Sequence, residues 1–217
     1  MKEISLDTFG SKDILQEAVL KTNNMARIEI LVEEPSMKEF LTILLPKVIE
    51  KPWELNTNYF IRSFEGKNDL QKNIPSKVKY LSNWNHEPVG VVIMQDQDSS
   101  DCKILKQKLL DICSQNGNCP KLVRIICKEL ESWYIGDFDA VNKAYPKFNH
   151  QNFMKKAKYR NPDICNASYE IKRIIPEFQK VGGAKKIAPF IDIQKNKSES
   201  FQQTISGLVR FFDAIKN

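Results

Sequence analysis

The feature that most constrains the fold is an alternation of short apolar segments with segments of helical periodicity. Four runs are rich in β-branched and aromatic residues and have the length of strands: residues 27–33, 59–64, 89–94 and 122–127. Apolar residues at helical spacing follow each of the first three. Strands that alternate with helices indicate a parallel sheet covered on both faces. The sequence therefore predicts an α/β fold.

The rest of the chain differs from this alternating part. Residues 1–24 are polar and are predicted to form an N-terminal extension to a core of residues 25–140. In residues 141–217 no strand pattern is found, and aromatic residues, prolines and lysines accumulate. We predict a mostly helical, basic C-terminal region packed on the core, ending in an amphipathic helix at residues 201–215.

The net charge of +6 is concentrated near the C-terminus, where residues 151–197 hold 11 Lys/Arg against 4 Asp/Glu. A basic block beside a near-neutral domain is typical of proteins with a phosphate-rich partner, although a solvated lysine-rich surface gives the same pattern. We predict that one strip of this block binds a nucleic-acid backbone. The strip consists of Lys155, Lys156, Lys158 and Arg160.

Several classes of protein are disfavoured by composition. No apolar run approaches the roughly 20 residues that a bilayer span requires, and the first residues lack a signal-peptide core. We therefore expect a cytoplasmic protein. The five cysteines form no C-x-x-C pair, and only two histidines are present. A zinc site or a disulfide framework is not expected, and the thiols should be reduced.

Acidic residues follow two of the predicted strands, at the end where parallel α/β sheets bind ligands. Glu33 ends the first strand, and Asp96 and Asp98 follow the third. In extended backbone, residues two apart point the same way, so Asp96 and Asp98 are expected to share one cation. Two like charges about 4 Å apart repel by on the order of 4 kcal/mol at an effective dielectric near 20, which calls for a compensating charge. Oxygen ligands without His or Cys favour Mg²⁺ or Mn²⁺.

The sequence thus predicts a catalytic metal site formed by Glu33, Asp96 and Asp98. Glu129, after the fourth strand, is a further candidate ligand, and Glu131 is a weaker one. Asp101 fits a helix cap better than a ligand. Lys67 lies at a predicted strand-to-helix turn, where it is expected to hold phosphate, although the spacing is not that of a P-loop.

The order of these motifs resembles the Toprim domain of topoisomerases, primases and OLD-family nucleases. This resemblance implies that Glu33 is a general acid/base or metal ligand and that the Asp96-x-Asp98 pair binds Mg²⁺. A closer resemblance is to a bacterial domain-of-unknown-function family, number 4276, with a Toprim-like core. It implies an ABC-type ATPase partner in a phage-defence-like module. The segments that carry it are residues 30–36, 64–70, 96–103, 129–134, 159–163 and 196–201.

The chain departs from the Toprim pattern at two positions. Glu34 stands where the pattern has glycine, and Met37 stands where it has a later acidic residue, with Glu39 nearby. Glycine permits unusual backbone angles and the close approach of a ligand, so its loss counts against catalytic activity, although Glu34 is itself a candidate ligand.

Three functions follow from these patterns. The leading hypothesis is a Mg²⁺- or Mn²⁺-dependent phosphodiester nuclease acting on RNA or DNA, the effector of an ATPase-associated phage-defence module. An alternative, favoured by the missing glycine, is a non-catalytic partner or sensor subunit of an ABC-type ATPase. A D-x-D nucleotide-sugar transferase is less favoured, because neither Glu33 nor the basic block fits it.

Overall fold

A computed structural model describes residues 26–216, and the predicted extension at residues 1–24 lies outside the described residues. Four strands form an all-parallel sheet in the order β2-β1-β3-β4. They are β1 (Arg27–Val32), β2 (Tyr59–Ser63), β3 (Val89–Asp96) and β4 (Lys121–Ile126). The predicted α/β fold with a parallel sheet is confirmed, and each strand lies within two residues of its predicted bounds.

Helices cover both faces of the sheet because alternate residues of the two central strands point into two different cores. On one face, Leu31 and Ile93 pack with α2 (Lys67–Ser82) and α3 (Cys102–Asn116). On the other, Ile30 and Met94 pack with α1 (Pro35–Leu44) and with later helices. Each central strand is therefore apolar on both sides, which is why β1 and β3 are continuous hydrophobic runs.

In the described part of the chain no strand follows β4, as the sequence predicts. The helices there are α4 (Glu131–Ile135), α5 (Phe138–Ala144), α6 (Gln151–Met154), α7 (Ala167–Ile174), α8 (Lys180–Ile187) and α9 (Glu199–Lys216). No helix between residues 26 and 216 has the length and apolar character that a bilayer crossing requires.

These later helices share a core with the sheet. The Trp133 ring lies 5.5 Å from the Phe40 ring of α1 and 5.2 Å from the Phe201 ring of α9. Phe212 of α9 packs edge-on against Tyr59 of β2, with ring centroids 5.5 Å apart. Side chains on both sides of the predicted boundary at residue 140 therefore belong to one hydrophobic cluster.

Candidate active site at the carboxyl edge of the sheet

The strand order brings the ends of β1 and β3 together. These strands are neighbours with Val32 opposite Met94, so Glu33 and Asp96 leave the sheet side by side. Oε2 of Glu33, a residue only 8% exposed, accepts a hydrogen bond of 3.0 Å from the backbone N–H of Asp96. The chain runs from β1 out to β2 and returns across β1 to β3, so this edge is the topological switch point, where open α/β sheets bind ligands.

The Asp96 carboxylate is half-buried and has no hydrogen bond or ion pair with any residue in the range 26–216. Burial raises the pKa of Asp96 well above its ordinary value, and the carboxylates of Glu131, Glu33 and Glu34 raise it further, while Lys180 opposes the shift. These four carboxylates, Glu33, Glu34, Asp96 and Glu131, are called the acidic cluster below. The Asp96 carboxyl therefore resists ionisation, because Lys180 offsets only part of the negative charge around it.

Glu131 begins α4 and is 1% exposed. Burial raises the pKa of this carboxyl to about 7, although Lys180 works in the opposite direction. A buried carboxylic acid with a pKa near 7 gains or loses its proton in the physiological range, so Glu131 sets the charge of the cluster near neutral pH.

Lys180 is the cation of the cluster. Its Nζ lies 3.1 and 2.9 Å from the two carboxylate oxygens of Glu34. Burial lowers the pKa of Lys180, but the charges of Glu131, Glu34 and Asp96 outweigh it and give a net increase. Lys180 therefore stays protonated at the N-terminal end of α8.

Glu34 does not require the backbone freedom of glycine. Its φ of −130° and ψ of 154° are ordinary extended values. Whether the loss of the glycine affects catalytic activity stays a prediction. The difference from the Toprim pattern lies in the side chain, which pairs with Lys180.

The extended segment predicted across Asp96 and Asp98 is not observed. Asp98 has a φ of 51°, because the bonds from Gln97 N to Ile126 O and from Asp98 N to Lys128 O, both 2.9 Å, turn the chain towards the loop after β4. The Asp98 carboxylate instead pairs with Lys67 Nζ at 2.9 Å. Lys67 therefore lies beside the candidate site, where Asp98 engages its charge, and its role in holding phosphate stays a prediction.

The two weaker acidic candidates both accept backbone hydrogen bonds at helix starts. Asp101 caps α3, with Oδ1 2.9 Å from the N–H groups of both Lys103 and Ile104, which agrees with the interpretation of Asp101 as a cap. Oε1 of Glu129 lies 2.6 Å from Ser168 N, in the first turn of α7. Asp98 and Glu129 line a pocket of about 330 Å³ beside the cluster.

The basic strip is exposed, but its members differ in their partners. Lys158 Nζ lies 2.7 Å from Glu170 Oε1, in a network that also contains Tyr159 and Arg173. Burial raises the pKa of Glu170, but hydrogen bonds from Lys158, Tyr159 and Arg173 lower it to about 2. Lys156 lies over the Phe153 ring at 4.5 Å. The side chains of Lys155 and Arg160 have no ion pair or hydrogen bond within the described residues.

Within residues 26–216, no group of three or more His, Cys, Asp or Glu side chains is arranged to hold a metal ion. Of the three predicted ligands, Glu33 accepts the Asp96 N–H and Asp98 is paired with Lys67. The donor chemistry nevertheless fits a hard divalent cation, because Asp96 offers a carboxylate that has no partner among residues 26–216, in a region of excess negative charge. Mg²⁺ or Mn²⁺ at this site stays a prediction.

Lys180 was missed by the sequence reasoning, and Glu131 received too little weight. No local pattern marks Lys180, which lies 146 positions from its partner Glu34. Glu131 was named as a weaker candidate from its position shortly after β4, and the structure adds that the residue is buried.

The fold and the site define a class of protein: a parallel α/β protein with an acidic cluster and one lysine at the switch point of its sheet. The chain belongs to the family described as Domain of unknown function (DUF4276), which matches residues 32–209. That match extends over the whole cluster, from Glu33 to Lys180, and confirms the family predicted from the sequence. No curated protein and no solved structure matches the chain significantly.

Proposed function

We propose that the chain is a Toprim-type nuclease that hydrolyses phosphodiester bonds of RNA or DNA with Mg²⁺ or Mn²⁺. The observation that carries the proposal is the pairing of Glu33 with the backbone of Asp96, whose own carboxylate lacks a partner among the described residues. A glutamate after the first strand and an Asp-x-Asp after a neighbouring parallel strand are also the arrangement that the Toprim resemblance implies.

The residues of the cluster have distinct parts in this reaction. Asp96 and Asp98 would hold the cation, which supplies charge neutralisation at the phosphate and acidifies a water molecule. Burial raises the pKa of Glu33, and Asp98 and Glu34 add to the increase, although the Asp96 N–H opposes it. A glutamate with a raised pKa accepts a proton from water more readily near neutral pH, which suits a general base.

The two lysines of the site would bind the substrate phosphate. Lys67 is half-exposed and pairs with Asp98, so it is free to contact phosphate when Asp98 turns to the cation. Lys180 lies on the opposite side, against Glu34, and would stabilise the charge that develops on the phosphate oxygens.

Outside the cluster, Lys155, Lys156 and Arg160 would hold the nucleic-acid backbone. Lys158 contributes less, because Glu170 already neutralises it. Replacing Lys155 and Arg160 with alanine should reduce the slope of log affinity against log salt by about 1.4–1.8, as expected for two phosphate contacts. An unchanged slope would show that Lys155 and Arg160 do not contact the nucleic-acid backbone.

The decisive experiment compares wild type, Asp96→Asn and Asp111→Asn on plasmid DNA, total RNA and tRNA, with Mg²⁺, Mn²⁺ or EDTA. Asp111 is an exposed carboxylate on α3 and serves as the matched control. Because burial and nearby carboxylates disfavour charge at Asp96, the Asn variant should be at least as heat-stable as wild type. Metal-dependent cleavage by wild type and the control, reduced about 100-fold or more in Asp96→Asn, is expected. Equal cleavage by Asp96→Asn would refute the assignment.

A second candidate function is a non-catalytic subunit of an ABC-type ATPase. It is favoured by the ion pairs Lys180–Glu34 and Lys67–Asp98, which balance part of the negative charge without a metal. The same assay should be repeated with a co-purified ATPase. Cleavage only in the complex supports the nuclease as the effector of an ATPase-associated phage-defence module, whereas a stable complex without cleavage supports the non-catalytic subunit.

A further inference from the structure

Arg124 of β4 is a half-buried arginine without a partner in the described chain. Its guanidinium makes no hydrogen bond or ion pair with residues 26–216, and its Nε is buried and unsatisfied. Burial lowers the pKa of Arg124, and the charge of Arg210 on α9 adds to this effect. A buried Nε without a hydrogen-bond partner is unfavourable, and a ligand that accepts a hydrogen bond from it would remove that penalty.

Gly207 of α9 provides the space that this guanidinium occupies. A Cβ at position 207 would overlap the guanidinium of Arg124, so any other residue there would displace it. Glycine is itself unfavourable in the interior of a helix. An arginine without a partner in residues 26–216 and a glycine inside a helix therefore occur side by side. The glycine leaves the space in which the guanidinium lies.

That place is the wall of a pocket of about 650 Å³ between β4, the start of α3 and the start of α9. The volume is typical of small-molecule sites. Lys106 and Lys128 also line the pocket, and neither side chain has an ion pair within residues 26–216. The buried hydroxyl residues Ser200 and Thr204 lie on the α9 side.

The two carboxylates at the pocket, Asp163 and Glu199, offset only part of its positive charge. Both oxygens of Asp163 are occupied, at 2.5 Å from Ser198 Oγ and 3.0 Å from Ser200 N. Glu199 is exposed at the first position of α9. The pocket therefore presents three cations that form no ion pair within residues 26–216, against two carboxylates. An excess of cations beside hydroxyl groups is the chemistry that recognises a phosphate group.

We infer that this pocket binds the phosphate of a nucleotide, with Arg124 as the anchor and Lys106 and Lys128 at its sides. The nucleotide is either free or part of a nucleic-acid strand. Gln97 and Lys128 line the pocket and belong to the two loops joined at Asp98, so a strand bound here continues towards the acidic cluster. The inference goes beyond the proposed cleavage and holds for a non-catalytic protein as well.

The test is a titration of the full chain with inorganic phosphate, AMP and a short single-stranded oligonucleotide, in EDTA, followed by calorimetry. Arg124→Met should weaken binding by about tenfold or more, since it removes a bidentate phosphate donor. Arg210→Met removes the neighbouring exposed guanidinium, which does not line the pocket, and should change affinity by less than about threefold. Equal losses in both variants would mean a diffuse field effect and overturn the site.

A second variant, Gly207→Ala, keeps the charge of Arg124 but changes its position. Gly207→Ala should displace the guanidinium and weaken binding in the same way, which decides the question if Arg124→Met fails to fold. Binding of AMP identifies a free nucleotide, and binding of the oligonucleotide alone identifies a strand. No binding of any probe to wild type, or unchanged binding in both Arg124→Met and Gly207→Ala, overturns the inference. AMP binding should survive in Asp96→Asn, which separates this pocket from the cleavage proposal.

Discussion

At the scale of single residues, the proton on Glu131 links the acidic cluster to the stability of the fold. The Glu131 carboxyl is buried, and its pKa of about 7 in the folded protein exceeds the ordinary value of 4.5. The folded state therefore retains this proton over a pH range in which the unfolded chain has lost it. The resulting stabilisation is fully present below pH 4.5 and is lost as pH rises through about 7.

Replacing Glu131 with Gln should remove this pH dependence. Between pH 4.5 and 8, the free energy of unfolding of wild type should fall by roughly 3 kcal/mol relative to Glu131→Gln, as the shift in pKa requires. Urea unfolding at four pH values measures the difference. Glu50→Gln, at an exposed carboxyl, should run parallel to wild type. A Glu131→Gln curve that is also parallel to wild type would show that Glu131 does not titrate in this range.

The candidate site could be predicted only where local rules govern it. Glu33 and Asp96 were found because parallel strands expose their carboxyl ends at one edge. The direction of the Asp98 side chain was not predicted. The left-handed backbone of Asp98 depends on hydrogen bonds to the loop after β4, and no residue adjacent to Asp98 specifies these bonds. Lys180 comes from a helix that is distant in the sequence, and its place depends on how α8 packs.

At the scale of elements, α8 contains two adjacent glycines with opposite surroundings. A Cβ at Gly182 would have Gln179 Cβ as its nearest neighbour, at 3.8 Å, which is ordinary contact. A Cβ at Gly183 would overlap the ring of Phe178, which is 2% exposed and packs against Tyr134. Substitutions at Gly182 and Gly183 therefore measure two different effects in one helix: helix propensity at Gly182 and side-chain packing at Gly183.

Substituting each glycine with alanine should therefore change stability in opposite directions. Gly182→Ala should stabilise by about 0.5–1 kcal/mol, because alanine loses less backbone entropy on folding. Gly183→Ala should destabilise by about 1–3 kcal/mol, because the buried ring must move. Chemical denaturation of the two variants provides the measurement, and each serves as the control for the other. Changes of the same sign would contradict the packing of α8 described above.

The helices and strands that the sequence predicted best are those that are long and have a regular apolar pattern. The central strands and α1 to α3 follow clear patterns, since each buries one regular face or both. The helices α4 to α7 have eight residues or fewer, and all five residues of α4 are buried, so no amphipathic period marks α4. The position of α4 depends on the packing of Trp133 against Phe40 and Phe201, which are distant in the sequence.

At the scale of the whole molecule, the sheet and the C-terminal helices unfold together if their shared core determines cooperativity. Trp53 and Trp133 lie in the core that contains α9, whereas Trp84 packs against the core of α2 and α3. We expect one thermal transition, with coincident midpoints for tryptophan fluorescence and far-UV circular dichroism.

A Trp84→Phe variant leaves Trp53 and Trp133 to report the α9 side alone, and its fluorescence transition should still coincide with the circular dichroism. A fragment of residues 25–140 should not unfold cooperatively, because one face of its sheet keeps α1 but loses the later helices that share its core. Separate transitions, or a cooperative fragment, would instead establish two independent units.

The distance in sequence between Glu34 and Lys180 has a consequence for synthesis of the chain. The ribosome adds 146 further residues after Glu34 to reach Lys180, which takes roughly 7 to 30 seconds at the usual rate of about 5–20 residues per second. Throughout that interval the nascent chain carries the two glutamates that follow β1 without the lysine that pairs with Glu34. The centre thus acquires its balancing charge only when α8 docks, and a translation product interrupted before that point would carry an incomplete cluster past the nucleic acid around it.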